Sequence, residues 1–336
     1  MPQALPKPRF TPTSLRVLLM IVAIGLSGCG AAPEGSSAAE QAVAAKRAEA
    51  EAQAVQRHAE SVAAWRKERL DRLQRPDGWL ALVGLHWLER GNSIVGSGPT
   101  RGLRLAVGPD ELGVITLERD GTVRFRATRG AGVTLDGAAA PVAAQRLRTD
   151  ADAAGPSVVG FNGGDASFIV IERTGRYALR VRDALAATRT GFTGIDHFPV
   201  TPDWRLVGRF EPNPPGQSLA IVNMQGQEET RANPGAVVFE KAGRSFRLET
   251  VDEGDGRLFL IFADRTSGHE TYAAARFLYA DPPGADLRVI LDFNKAYNPP
   301  CAFTPYSTCP LPPPGNRLDL RIEAGEKKPR PPDAGA

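Results

Sequence analysis

The chain has 336 residues, with 41 basic side chains against 38 acidic ones. So even a balance offers no basic surface for neutralising phosphates, and nucleic acid is not an expected partner. The length accommodates two β domains of ordinary size.

Residues 1–28 read as a signal. Lys7, Arg9 and Arg16 give a weakly basic start, and Val17 to Leu26 form an uncharged run of ten residues, too short to span a bilayer well. The following "LSGC" resembles the lipobox of bacterial lipoproteins, which implies cleavage before Cys29 and a lipid on that cysteine. No acidic residue precedes Cys29, so losing the three basic residues before it leaves 38 basic against 38 acidic. Gly30 rather than an aspartate follows, which by the same resemblance leans toward the periplasmic face of the outer membrane. The lipid bilayer is then a partner through the N-terminal anchor.

Residues 29–40 are small and polar and read as a tether. Residues 41–75 are rich in Ala, Glu, Gln and Arg without Gly or Pro, which predicts a helix. Large apolar residues are sparse before Trp65, Leu70 and Leu73. The helix is therefore expected to face solvent and to dock only at its end, with His58 on the surface. It should stop near Pro76 and Gly78.

The fold class expected for the rest is mainly β: two small β domains, of sandwich or partly open barrel type, preceded by this Ala/Glu-rich helix. The first spans 76–183. Its "GWLALVGLHWL" is dense enough to be buried from two sides. "RDGT" between "VITLE" and "VRFRA" signals a hairpin, and "YALRVRD" alternates Tyr177, Leu179 and Val181 with polar residues as a half-buried strand does. The order of its motifs loosely looks like the forkhead-associated type of sandwich. The second domain, 184–327, holds further strand-sized runs such as "RLVGRFEP", "AVVFE", "RLFLIFAD", "ARFLYAD" and "LRVILDF". Residues 328–336 are polar and Pro-rich and read as a disordered tail.

Near the C-terminus, Cys301 and Cys309 stand with seven residues between them in a stretch stiffened by Pro299, Pro300, Pro310, Pro312, Pro313 and Pro314. With Cys29 lipidated, two thiols in an oxidising compartment predict one disulfide that closes a capping loop. Such a closure contributes roughly 2–3 kcal/mol on the chain-entropy picture.

At this point the chain resembles a bacterial family, the domain of unknown function family 1684. The likeness runs from about Trp65 to Lys327 through "WRKERLDRL", "GWLALVGLHWL", "FTGIDHFPV", "FADRTSGHETY", "ARFLYAD" and "DFNKAYNPPCAFTPYSTCPLPPPGNRLDLRIEAGEK". The resemblance implies a mainly β fold and carries no activity. His269 and Ala273 to Ala275 depart from the lysine and the glycine-rich approach that many relatives have around "ETY".

Two polar clusters follow strand-like runs and form the candidate ligand site: Asp264, Arg265, His269, Tyr272 and Arg276 in the first, Asp292, Asn294 and Tyr297 in the second. An arginine fork suits a carboxylate or phosphate, with Tyr272 and Asn294 orienting polar groups. The competing reading is structural: Asp264, Thr266, Asp292 and Asn294 cap turns, and Arg276 pairs with Glu270 or Asp292. No metal site is expected, because His197 and His269 lie 72 residues apart and no "HExxH" is present. No "GxSxG" elbow, phosphate loop or dinucleotide fingerprint occurs, so neither a catalytic residue nor a cofactor is assigned. The expected function is an envelope lipoprotein that binds a small polar or anionic ligand. The alternatives are a structural or protein-interaction lipoprotein, and a hydrolase with an unrecognised site.

Overall fold

A computed structural model describes residues 38–99 and 102–330. The signal segment and Cys29 lie outside the described residues, as do 331–336. The chain divides into two compact units, one reaching to Glu51 and one running from Ala52 onward. In the first, residues 38–51 are helical and exposed. Among the described residues no helix is long and apolar enough to cross a membrane.

The fold is mainly β with one preceding helix, Ala38–Leu73. Within the second unit this helix buries Val62, Arg69 and Leu73. It docks earlier than its sparse apolar residues predict, because polar groups hold it. His58, expected at the surface, is part-buried, and its Nε2 lies 2.9 Å from Asp292 Oδ2. Arg66 donates to the Phe198 carbonyl at 3.0 Å. After Leu73 the chain reverses at Gly78, where a Cβ would meet the carbonyl oxygens of Arg72 and Leu73, each at 2.8 Å. Glycine is required there by close approach.

Next come two facing sheets. One has five strands in the order Leu103–Arg104, Gly91–Gly96, Gly113–Leu117, Val123–Ala127, Gln145–Leu147. The other has six, in the order Leu82–Trp87, Arg176–Asp183, Ala166–Arg173, Val159–Phe161, Thr134–Leu135, Ala138–Ala139. Ile115, Val123 and Phe125 of the first meet Phe168, Val170, Leu179 and Val181 of the second in one core, with Phe125 and Phe168 edge to face at 5.4 Å. The "RDGT" hairpin forms as read, pairing Leu117 with Val123. The Arg176–Asp183 strand differs from its expected alternation: Ala178, Leu179, Arg180 and Val181 are all buried. On its second face Ala178 lies between its cross-strand neighbours Ile171 and Trp87, and Arg180 between Ile169 and Leu85 with its guanidinium over the Trp79 ring.

The remaining strands make three antiparallel sheets, and none closes into a barrel. Four strands run Arg244–Glu249, Gly235–Lys241, Arg205–Pro212, Arg288–Asp292, and three run Val251–Asp252, Leu258–Phe262, Arg276–Ala280. A hairpin pairs Ser218–Val222 with Glu228–Ala232. The Leu258–Phe262 strand is buried on both faces. Leu258, Leu260 and Phe262 join the core of the four-stranded sheet, while Phe259 and Ile261 pack with Ile221, Phe277 and Cys309. The segment from Leu318 to Ala324 then crosses this core, burying Leu318, Ile322 and Ala324. The chain is held as far as Arg330: Lys328 N–H donates to the Glu270 carbonyl, and Arg330 pairs with Asp196 at 2.6 Å.

Candidate functional site

The "DRTSGHETY" turn starts where the Leu258–Phe262 strand ends. Thr266 O accepts from the backbone N–H groups of His269, Glu270 and Thr271, which ties the turn into a knot. Inside it, Asp264 and Arg276 pair at 3.0 Å with both side chains fully buried. Asp264 also accepts from the Thr266 hydroxyl at 2.9 Å and from Ile322 N–H at 2.7 Å. Arg276 donates to the carbonyls of Ile322 and Ala324 and lies over the Phe262 ring. Burial lowers the pKa of its guanidinium, and Asp264 opposes that shift. A charged pair taken out of water persists when further hydrogen bonds satisfy it, and here those bonds come from the crossing segment. Arg276 therefore presents no face to solvent; it clamps the C-terminal segment onto the sheet.

The other candidate residues do not converge on this pair. Arg265 turns outward to Asp319, and His269 is exposed. Tyr272 donates its hydroxyl to the Cys301 carbonyl at 3.1 Å, and burial pushes its pKa up. Asp292 caps the turn at Phe293–Lys295 by accepting from Asn294 N–H, while Asn294 exchanges two bonds with the Thr201 backbone at 2.9 and 3.0 Å. Tyr297 lies under Arg69, whose guanidinium carbon is 4.7 Å from the ring centroid.

A second buried pair was not legible in the sequence. Arg69 on the helix reaches Glu326 at 3.1 Å and the Asn298 carbonyl at 2.9 Å. Asn298 N–H donates to the other Glu326 oxygen at 2.7 Å. Burial raises the pKa of the Glu326 carboxyl, against the pull of Arg69. Nearby, His197 is pushed down to about 4, first by burial and then by Arg66. Its Nε2 is buried without a hydrogen-bond partner.

The cysteine loop departs from the expected disulfide. Cys301 and Cys309 are two free thiols. Chain stiffness and packing bring them together, whereas bonding them is an oxidation that geometry alone does not perform. Cys301 Sγ accepts from the Ser307 hydroxyl at 2.9 Å and from Cys309 N–H at 3.4 Å, while Cys309 Sγ accepts from Cys301 N–H at 3.1 Å. Hydrogen bonding from Cys309, then Ser307, draws the Cys301 pKa down against its burial, and the same coupling with burial drives Cys309 up. The Ser218–Val222 strand edge fixes the loop: Leu311 N–H donates to Val222 O, and Met224 N–H to Cys309 O. From the other side Arg173 donates to the Thr308 hydroxyl at 3.3 Å. Arg180 is 5% exposed, has a buried Nε without a hydrogen-bond partner, and stacks over Trp79 at 5.4 Å. Burial brings its pKa down to about 10, and its charge in turn favours the Cys301 thiolate. The alternation around Arg180 reads as solvent-facing, so local sequence carried no signal for it.

Beside Arg173 an open cleft of about 420 Å³ separates the turn Glu172, Arg173, Thr174 from Glu228, Glu229, Thr230 and Arg231 of the hairpin. Arg173 pairs with Asp150 at 2.8 Å and Arg231 with Glu229 at 2.6 Å. Among the described residues no group of three or more His, Cys, Asp or Glu side chains could hold a metal.

Residues 190–327 match the model of the family described as "Protein of unknown function (DUF1684)". The match is confined to this C-terminal segment. It contains the buried Asp264–Arg276 pair, the cysteine loop and Glu326; the likeness read further back, to Trp65, lies outside the matched residues. A solution NMR structure of an uncharacterized protein from Haloarcula marismortui is similar at 28% identity, with a TM-score of 0.36, over 41% of this chain and 78% of that one. No curated protein matches the chain.

Proposed function

We propose that the protein is a cell-envelope lipoprotein, tethered through a lipid on Cys29, whose folded body binds a small polar ligand. The anchor reading rests on the basic start, the short apolar run and "LSGC". Export to an oxidising compartment would then join Cys301 to Cys309.

The cleft between Glu172–Thr174 and Glu228–Arg231 carries the ligand reading. The cleft is open and polar rather than enclosed and apolar, so it suits a small polar molecule held at the surface. Carboxylates, guanidinium groups and threonine hydroxyls line it together, which suits a ligand bearing both an amine and an acid. The candidate residues Asp264, Arg276, Asp292 and Asn294 would act behind it by holding the framework. Their internal pairing also favours the second reading, a structural or interaction lipoprotein in which the polar residues serve the fold.

The test is thermal-shift and calorimetric titration with amino acids and short peptides, together with mass analysis of molecules retained on purification. Binding that Arg231→Glu abolishes supports the cleft. Absence of binding and of any retained molecule overturns the ligand reading and leaves the structural one. Membrane release by Cys29→Ser tests the anchor separately.

A further inference from the structure

We propose that Cys301 and Cys309 form a thiol–disulfide exchange site, in which Cys301 attacks a partner disulfide and Cys309 resolves the mixed disulfide. This rests on the envelope reading for a supply of disulfides, and it assigns the loop a reaction where that reading assigns a staple.

The two thiols are not equivalent. Cys301 is partly exposed, and its sulfur is the acceptor of the Ser307 hydroxyl and the Cys309 N–H. Donors aimed at a sulfur stabilise the thiolate, which is the nucleophile. Arg180, buried and with its Nε unpartnered, adds positive charge that favours the Cys301 thiolate. Cys309 is 5% exposed and packs with Ile221, Phe259 and Phe277. It is therefore shielded from an incoming molecule but adjacent to Cys301. The Ser307 hydroxyl stands between them, 2.9 Å from one sulfur and 3.6 Å from the other. An attacking thiol that is accessible and a resolving thiol that is covered is the arrangement exchange requires.

In the reaction the Cys301 thiolate forms a bond to one sulfur of a disulfide RS–SR. The S–S bond breaks and RS⁻ leaves. Cys309 then gives up its proton, its thiolate attacks Cys301 Sγ, and the second RS⁻ leaves. The protein's two thiols lose two electrons and two protons; the partner disulfide gains both and becomes two thiols. In the reverse direction a stabilised Cys301 thiolate is the better leaving group, so the loop disulfide is readily reduced.

The experiment uses the purified full-length protein, reduced and then exposed to oxidised glutathione, with peptide mapping to separate Cys301 from Cys29. Wild type is expected to form the Cys301–Cys309 disulfide, and Cys309→Ser to stop at a single glutathione adduct on Cys301. Cys301→Ser is expected to form no adduct at Cys309. In wild type, Cys301 alkylation by iodoacetamide should reach half its maximal rate well below the ~8.5 of an ordinary thiol; Ser307→Ala should move that midpoint upward while circular dichroism stays unchanged. An adduct forming equally at Cys309 overturns the assignment of roles. A disulfide that forms only with a strong oxidant, together with an ordinary alkylation midpoint, overturns exchange and leaves the staple standing. Failure to form any disulfide sinks both.

Discussion

The Arg69–Glu326 pair offers the sharpest test of how the helix is held. Replacing Arg69 by Met keeps much of the apolar stem but removes the cation. It leaves Glu326 fully buried with only Asn298 N–H to satisfy it, and leaves the Asn298 carbonyl without its donor. Breaking a buried ion pair on one side costs about 3–5 kcal/mol. That is a large share of a domain stability of about 5–15 kcal/mol. The double change Arg69→Met with Glu326→Gln removes both charges and should recover most of the loss, because no unpaired carboxylate then remains in the interior. Urea unfolding followed by tryptophan fluorescence reads both quantities. Trp65 lies 6.2 Å from Tyr297, so undocking of the helix moves its signal directly. A loss below ~1 kcal/mol for the single change, or a double change no more stable than the single one, would refute the reasoning.

Two further outcomes follow from the same geometry. His197 sits at about 4 when folded, against 6.5 for a free imidazole, so the unfolded chain takes up the proton first. Its contribution is intact above about pH 6.5 and declines as pH drops toward 4. Discounted for partial exposure, the loss is on the order of 1–2 kcal/mol. His197→Gln should flatten the difference in urea midpoint between pH 7 and pH 5, and identical pH dependence in both proteins would remove His197 from the account. Gly325 has a φ of +79°, and a Cβ there would lie 2.3 Å from Ala296 O. Gly325→Ala should cost at least about 1–2 kcal/mol from the left-handed backbone alone. At ~2–4 °C per kcal/mol a lowered melting temperature is visible, and an unchanged one contradicts the close approach.

Much of the scaffold follows from local pattern. The helix over Ala38–Leu73 comes from a Gly- and Pro-free run of strong helix formers, and the "RDGT" hairpin from turn chemistry between alternating strands. The role of Asp264 as a turn-capping carboxylate was visible as one of two readings, because it depends on a neighbour two residues away. Its bonds to Arg276 and Ile322 were not.

What the sequence determined by itself was the β-rich class, the leading helix, the family likeness and the adjacency of two cysteines, since each depends on residues close together in the chain. Tertiary structure alone decided which charges go inside. Arg69 and Arg180 sit in polar or alternating surroundings that locally favour water, while Arg276 is a lone charge between Ala273–Ala275 and Phe277–Leu278. Each is buried because a segment more than about 40 residues away, or a covering aromatic ring, closes over it. The physical reason is that desolvating a charge is tolerable only where distant groups supply compensation, and no local pattern records where those groups will arrive.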